Sequence, residues 1–382
     1  MVTIKRATEK VRPLQQRIIM LADFDYFFAQ AEEVRNPSIK DKPVVVCVYS
    51  GRTEDSGVVS TANYNARKYG VKSGMPIFMA KKKLEDTDSV FLPVDESYYE
   101  QVSNNIMNIL KAFADNFQQV GIDEAYLDVT QRTEANYEKA QELAQKIKAE
   151  VKIQQKITCS IGVGPNKLIA KIAADNQKPN GLTTVKPEQV IAFLTPLPVG
   201  SLIGVGNKTQ QKLEPLGIKT IGDLAEYPVQ RLIDIFGKSH GVYLHDAAQG
   251  IDFAPVQEAG ETESISRIST LKENTRELEA ILERAYILCE YIHQKVMQRK
   301  IRFRRVSATI ILKDLSIHNR YKKLESATDR LETFKEAAGE LLEKLLADTE
   351  LEVRRVGVRI SYFVSQEEQE RQKQMTDFFR QA

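Results

Sequence analysis

Two short acidic clusters, Asp23-Phe24-Asp25-Tyr26-Phe27-Phe28 and Asp123-Glu124-Ala125-Tyr126-Leu127-Asp128, constrain this chain more than any other feature. Each adjoins an apolar run of strand character, so folding can bring carboxylates from two strand ends to one point, where Mg²⁺ and a phosphate-bearing substrate fit. Neither cluster is compatible with a core unless positive charge lies between them.

At 382 residues the chain exceeds what a single core usually serves, so two to four domains are expected. A net charge of only +2 says nothing about nucleic acid; where the charge falls is what matters. Cys47, Cys159 and Cys289 are far apart, odd in number and without a CxxC pair, which fits a reducing compartment. The four histidines form no cysteine-histidine framework, so structural zinc is not expected. The apolar run Ile18 to Ala22 falls far short of a signal segment or membrane span, and a soluble, cytoplasmic protein is the expectation.

Residues 1–16 read as a polar, basic N-terminal extension interrupted by Pro13. Beyond it, hydrophobic periodicity predicts a strand over Arg17 to Ala22, a helix over Phe28 to Val34, strands over Pro43 to Tyr49 and Val58 to Ala62, and a helix from Tyr64 to Tyr69. A longer helix, Tyr98 to Phe113, leads to a predicted hairpin of Val120 to Asp123 and Tyr126 to Val129, with Glu124 near its turn. A helix over Asn136 to Ile153 and a strand over Thr158 to Val163 complete an α+β core with a mixed sheet.

Residues 190–250 change character to short helices punctuated by Gly and Pro. Ile203-Gly204-Val205-Gly206 followed by Leu213, Leu216 and Leu224 reads as a helix-hairpin-helix element, whose glycine turn can offer backbone N–H groups to a DNA phosphate beside Lys208 and Lys212. An ordinary glycine turn in a helical bundle has the same pattern. Residues 251–263 read as a linker. A second α+β domain follows, with helices over Arg276 to Met297 and Ala327 to Leu346 and strands over Val306 to Leu312 and Val353 to Ile360, the helices covering one sheet face. Arg299, Lys300, Arg302, Arg304 and Arg305 concentrate its positive charge where alternating strand positions can meet a duplex backbone.

The chemistry these residues permit is nucleotidyl transfer. Asp23, Asp123 and Glu124 suit two Mg²⁺ ions about 3.5–4 Å apart, one activating a primer hydroxyl and one holding phosphates. Asp25 can instead orient local backbone. Tyr64 and Arg67, three apart on one helical face, can meet the β- and γ-phosphates, and Lys178 lies where Pro179 and Gly181 stop a helix and present its amine to the same group. Tyr64 can equally be packed. Phe28 can lie beneath a deoxyribose and exclude a 2′-hydroxyl, although a core phenylalanine leaves the same local pattern; Phe24 and Phe27 have stronger claims as packing residues.

These motifs, together with Ser60 to Arg67, Ile122 to Asp128 and Lys171 to Gly181, resemble an archaeal Y-family translesion DNA polymerase of the DinB branch over roughly residues 17–382. The resemblance implies a right-hand polymerase with a ferredoxin-like palm (17–39 and 96–189), small fingers (40–95), a helical thumb (190–250), a linker (251–263), and an α+β little finger (264–364). It makes Asp23, Asp123 and Glu124 the catalytic carboxylates, adds the Phe24 carbonyl to the Mg²⁺ ligands, and assigns Phe27, Phe28, Thr61, Tyr64, Arg67 and Lys178 to the nucleotide, with Phe28 as the sugar gate. Primer-template DNA and deoxynucleoside triphosphates are the implied partners, with low fidelity, lesion bypass and a monomeric state. The chain departs from the pattern at Gly121, where serine is usual, and at Ile203-Gly204-Val205-Gly206, where Pro-Gly-Ile-Gly is usual.

The segment 365–382 carries Gln372, Met375, Phe378 and Phe379 at the spacing of a peptide that docks on a DNA sliding clamp. A nucleotide cyclase also uses a two-metal palm, but the helical phosphate-binding segment, basic second domain and clamp-like tail speak against it. A non-catalytic DNA-binding clamp adaptor leaves the joint presence of the carboxylates, Arg67 and Lys178 unexplained.

Overall fold

The computed structural model describes residues 17–258, 260 and 263–365. Residues 1–16 and the clamp-like Gln372, Met375, Phe378 and Phe379 lie outside the described residues. The described residues divide into two compact units, one of residues 17–46, 60–73 and 83–258, the other of residues 47–59, 74–82, 260 and 263–365.

In the first unit, the buried run Ile19–Phe24 forms β1, and Phe27–Arg35 forms α1. Val44–Tyr49 (β2) and Gly57–Ala62 (β3) precede the short helix Tyr64–Arg67 (α2), and after Ile77–Lys83 (α3) comes Val90–Pro93 (β4); the small sheet runs β3-β2-β4, and residues 47–59 and 74–82 of this stretch are counted with the second unit. The main sheet is built from β1, Asn116–Gln119 (β5), Glu124–Asp128 (β6), Cys159–Gly164 (β7) and Leu182–Thr184 (β8), in the order β5-β6-β1-β7-β8. Strand β1 is antiparallel to both β6 and β7, while β8 runs parallel to β7.

Alternation along β1 divides the core. Met20, Ala22 and Phe24 bury against Glu96–Ala112 (α4) and Tyr137–Gln155 (α5) through Ile106, Leu110, Ala144 and Ile147. Ile19 and Leu21 face the other way, onto Ala170 and Ala174 of Lys167–Asn176 (α6). Gly162 makes this approach possible, since a Cβ there would fall 2.0 Å from Ala170 O.

The hairpin departs from expectation. Its first strand is Asn116–Gln119, residues 120–123 make the turn, and Glu124 opens the second strand. Pairing with β1 fixes this register, because burying Ala125 and Leu127 beside Ala22 and Met20 leaves Glu124 as the first paired residue.

Five short helices follow, Val190–Leu194 (α7), Asn207–Leu213 (α8), Ile221–Glu226 (α9), Val229–Phe236 (α10) and Lys238–Ala248 (α11), around a core of Leu213, Ile221, Leu224, Leu232 and Leu244. Residues 251–258 carry no regular structure, yet they are tied to this unit. Arg17 donates to Asp252 O at 3.0 Å, Asp252 Oδ2 accepts from Leu168 N at 3.1 Å, and Val256 is buried.

The second unit contains an antiparallel sheet of Ser264–Thr275 (β9), Ile301–Leu312 (β10), Ile317–Thr328 (β11) and Val353–Ser365 (β12), ordered β11-β10-β12-β9. Leu278–Arg299 (α12) and Leu331–Ala347 (α13) cover one face, burying Phe303, Val306, Ala308 and Ile310. Strands β9 and β11 escape sequence reading because both are edges with one uncovered face, so few aliphatic residues mark them. Cys47, Cys159 and Cys289 are buried and form no disulfide, and among the described residues no helix is long and apolar enough to cross a membrane.

Candidate active site

Backbone pairing brings the two acidic clusters together. Asp23 at the end of β1 stands opposite Glu124 at the start of β6, and Phe24 N donates to Asp123 O at 2.8 Å. Asp23 and Glu124 share the α6 face of the sheet. From that helix Lys171 Nζ reaches Asp23 Oδ2 at 2.9 Å and Glu124 Oε2 at 2.6 Å. Lys178 Nζ takes the other Asp23 oxygen at 2.7 Å and Asp175 Oδ1 at 2.8 Å. The positive charge that the clusters require is thus supplied by two ammonium groups.

Titration follows this geometry. Burial, then the charges of Asp23 and Glu124, push the Asp123 carboxyl above the ordinary aspartate range. Burial opposes the charge on Lys171, but Asp23 and the hydrogen bonds to Glu124 and Asp23 outweigh it, so this ammonium is held more firmly than an ordinary lysine's. Lys178 is raised in the same way by Asp23 and Asp175 against its own burial.

The nucleotide-side residues converge on the same place. Asn63 caps α2, its Oδ1 accepting from Ala66 N at 2.9 Å, and so orients Tyr64 and Arg67. The Tyr64 ring meets Tyr26 edge-to-face at 5.4 Å, and Arg67 curls back to donate to Ala62 O at 2.9 Å with its guanidinium 4.9 Å from the Tyr64 ring. Phe28 lies flat on Tyr99, centroids 4.3 Å apart and planes 15° from parallel. A cavity of about 400 Å³ is lined by Asp23, Phe24, Phe27, Phe28, Thr61, Tyr64, Arg67, Asp123, Glu124 and Lys178, together with Tyr26, Ser60, Ser73 and Lys171. Phe24 and Phe27 are nearly buried beneath it and pack on each other at 5.3 Å.

The turn below the carboxylates is close at Gly121. Its N–H, like that of Val120, points to Glu124 O, Ser103 Oγ donates to Ile122 O, and a Cβ at 121 would press at 3.3 Å on both Asp123 Oδ1 and Glu124 Cγ.

Among the described residues no group of three or more His, Cys, Asp or Glu side chains is gathered closely enough to hold a metal ion. The lysines sit on the oxygens that a cation would take, and the donor set of carboxylates is that of a hard ion such as Mg²⁺. Burial and the neighbouring carboxylates together leave negative charge at Asp123 poorly compensated.

Elsewhere, Gly204 adopts φ +85°, with the Tyr243 ring 3.0 Å from where a Cβ would stand, and Gly206 precedes α8 with Lys208 in its first turn. On β10, Arg305 lies between Tyr321 and Tyr362, 4.4 and 4.3 Å from their ring centres, on the sheet face that no helix covers. Register puts Lys323, Arg355 and Arg359 on that face too, none of which sequence reading singled out. Arg299 ends α12, Lys300 turns the chain at φ 51°, Arg302 pairs with Asp329 at 3.3 Å, and Arg304 donates to Glu325 O.

Residues 22–175 match the impB/mucB/samB family model, residues 262–375 its C-terminal domain model, and residues 200–252 the model of the DNA polymerase-iota thumb domain. DNA polymerase IV of Nitrosopumilus maritimus is 43% identical over 367 residues, spanning 96% of this chain and 100% of that protein. The chain belongs to the DinB branch of the Y-family DNA polymerases. DNA polymerase IV of Methanosarcina acetivorans is 44% identical over 353 residues, 91% of this chain and 96% of its own. Among solved structures, a Y-family DNA polymerase chimera of Dbh and Dpo4 shares 41% identity and a TM-score of 0.86, covering 91% of this chain and 99% of that one. An insertion ternary complex of Dbh shares 40% identity with a TM-score of 0.66 over the same shares.

In the vocabulary of this family the main sheet is the palm, the three-stranded sheet belongs to the fingers, the short helices form the thumb, and the four-stranded sheet is the little finger. Lys171 is the site residue that sequence reading missed. No local signal marks it, because only the packing of α6 on β1 brings it to Asp23 and Glu124.

Proposed function

We propose that this polymerase extends a primer 3′-hydroxyl on a DNA template by nucleotidyl transfer, forming a bond from the 3′-oxygen to the α-phosphorus and releasing pyrophosphate. The reading rests on one observation, the strand register that sets Asp23 against Glu124 in the cavity shared by Asp123, Tyr64, Arg67, Lys178 and Phe28. Asp23, Asp123, Glu124 and the Phe24 carbonyl would hold two Mg²⁺ ions, which would supply a lowered pKa for the attacking hydroxyl and neutralisation of phosphate charge. Tyr64, Arg67 and Lys178 hold the β- and γ-phosphates, Thr61 and Phe27 line the nucleotide's berth, and Phe28 closes the space that a 2′-hydroxyl needs. Lys171 and Lys178 keep the carboxylates compact until substrate arrives.

The finer assignments belong to the same reading. The helix-hairpin-helix turn at Gly204, Gly206 and Lys208 and the basic run Arg299, Lys300, Arg302, Arg304 and Arg305 grip the DNA backbone, with Arg305 on the uncovered little-finger face. Gln372, Met375, Phe378 and Phe379 engage a sliding clamp, the enzyme acts as a monomer in the cytoplasm, and it copies past damaged bases at low fidelity. The palm comprises 17–39 and 96–189, the fingers 40–95, the thumb 190–250 and the little finger 264–364.

Primer extension on undamaged, abasic and cross-linked-pyrimidine templates tests the proposal. Wild type adds nucleotides in Mg²⁺ and Asp123→Ala/Glu124→Ala does not. Formation of a cyclic nucleotide without extension would sink it.

A further inference from the structure

Asp25 belongs to the first acidic cluster but does not line the catalytic cavity. Its side chain is 1% exposed, and both oxygens are engaged: Oδ1 accepts from Ser160 Oγ at 2.7 Å and Oδ2 from Asn180 N at 2.8 Å. Ser160 Oγ in turn accepts from Gly181 N at 3.1 Å. From α5, Lys148 Nζ donates to Asn180 Oδ1 at 2.8 Å, to Gly181 O at 3.1 Å and to Cys159 O at 2.6 Å. Asn180-Gly181 is therefore gripped from the turn after β1 on one side and α5 on the other, two residues after Lys178. The grip is close, since a Cβ at Gly181 would fall 2.1 Å from Gln177 O and Asn180 is held at φ 55°.

A buried carboxylate is costly unless it does something an apolar side chain cannot, and here it fixes a backbone N–H of the loop that carries a phosphate-binding candidate. We propose that Asp25 and Lys148 are a positioning pair that sets the reach of Lys178 toward the triphosphate of the incoming nucleotide. This rests on the assignment of Lys178 to the triphosphate. Asp25 touches neither substrate nor reacting atoms; it acts through Lys178. Releasing the loop lets the ammonium sample positions off the phosphate, which weakens nucleotide binding while leaving the grip on DNA unchanged.

Single-nucleotide extension measured on Asp25→Ala, Lys148→Met, Lys178→Met and the Asp25→Ala/Lys178→Met double variant decides the matter, with primer-template Kd measured alongside. Each single variant is expected to raise the KM for deoxynucleotide about tenfold, with kcat changed less and DNA Kd within about twofold of wild type. On the Lys178→Met background, Asp25→Ala should add no more than about twofold, because two residues acting through one contact are not additive. Full additivity, or a fall in kcat with KM unchanged, overturns the proposal. If Lys178→Met itself leaves KM unchanged, the triphosphate assignment fails and the positioning role with it. A raised KM in Lys178→Met with wild-type behaviour in Asp25→Ala and Lys148→Met rejects the positioning role alone. Should Asp25→Ala fail to fold, Lys148→Met, alone and combined with Lys178→Met, carries the same comparison.

Discussion

At the scale of single residues, the active site is a problem of charge. The raised pKa of Asp123 means that the folded chain holds this proton more tightly than the unfolded chain. As pH rises from the ordinary aspartate range through the folded value, ionising Asp123 costs metal-free stability, and the loss persists at neutral pH. Asp123→Asn removes that cost. In chelator at neutral pH its urea midpoint should lie above that of wild type, and the advantage should vanish in acid, below the ordinary aspartate range; an Asn variant no more stable than wild type at neutrality contradicts a cost from burial and repulsion at this carboxylate. Phe28 makes a different prediction. Its ring is held flat on the buried Tyr99, so Phe28→Ala should raise ribonucleotide relative to deoxyribonucleotide incorporation by about tenfold or more, equivalent to about 1.4 kcal/mol of discrimination. An unchanged incorporation ratio would remove Phe28 as the gate.

At the scale of elements, four residues of helix α2 present both Tyr64 and Arg67, and so short a helix has little stability of its own. Asn63, 2% exposed, supplies what the helix lacks. Its Oδ1 accepts from Ala66 N and from Val44 N at 3.0 Å, and its Nδ2 donates to Glu33 Oε1 and Lys42 O, both at 2.8 Å. Asn63→Ala should therefore cost about 2 kcal/mol in denaturant unfolding and raise the nucleotide KM. Stability loss with unaltered KM would show that α2 holds its shape without the cap. The helix beginning at Tyr64 was legible in the sequence, but nothing local revealed that Asn63 caps it and also ties β2 and α1 to it. The hairpin before Glu124 was misread for a related reason. Val120 and Ile122 have strand character, yet the pairing of β6 with β1 placed them in the turn.

At the scale of the whole molecule, the acidic cavity and the basic sheet face belong to different units. The first gathers the carboxylates and lysines; the second presents Arg305, Lys323, Arg355 and Arg359 on an uncovered sheet face with Tyr321 and Tyr362. Arg355→Gln/Arg359→Gln should weaken primer-template binding and reduce the log-log salt slope by about 2, since each lost phosphate contact removes about 0.9. A slope equal to wild type would move the interface off this face. Among the described residues, the buried core of the second sheet draws on residues 265–363, so a fragment of residues 263–365 should fold alone and unfold in one cooperative transition; a chain lacking near-UV signal would show that this sheet needs the other segments of its unit.

The sequence by itself determined which residues carry charge beside which apolar runs. Alternation, caps and Gly-Pro punctuation are local properties, and they carried the acidic clusters, the Tyr64–Arg67 face and the two-helix layer of the little finger. Tertiary structure alone decided which charges meet. Lys171 looks like any lysine in a helix until α6 packs across β1, and Lys323, Arg355 and Arg359 become one surface only when three strands adopt a register. Electrostatic and hydrogen-bond energies depend on distances between residues far apart in the chain, and those distances are set by how sheets pair and helices pack.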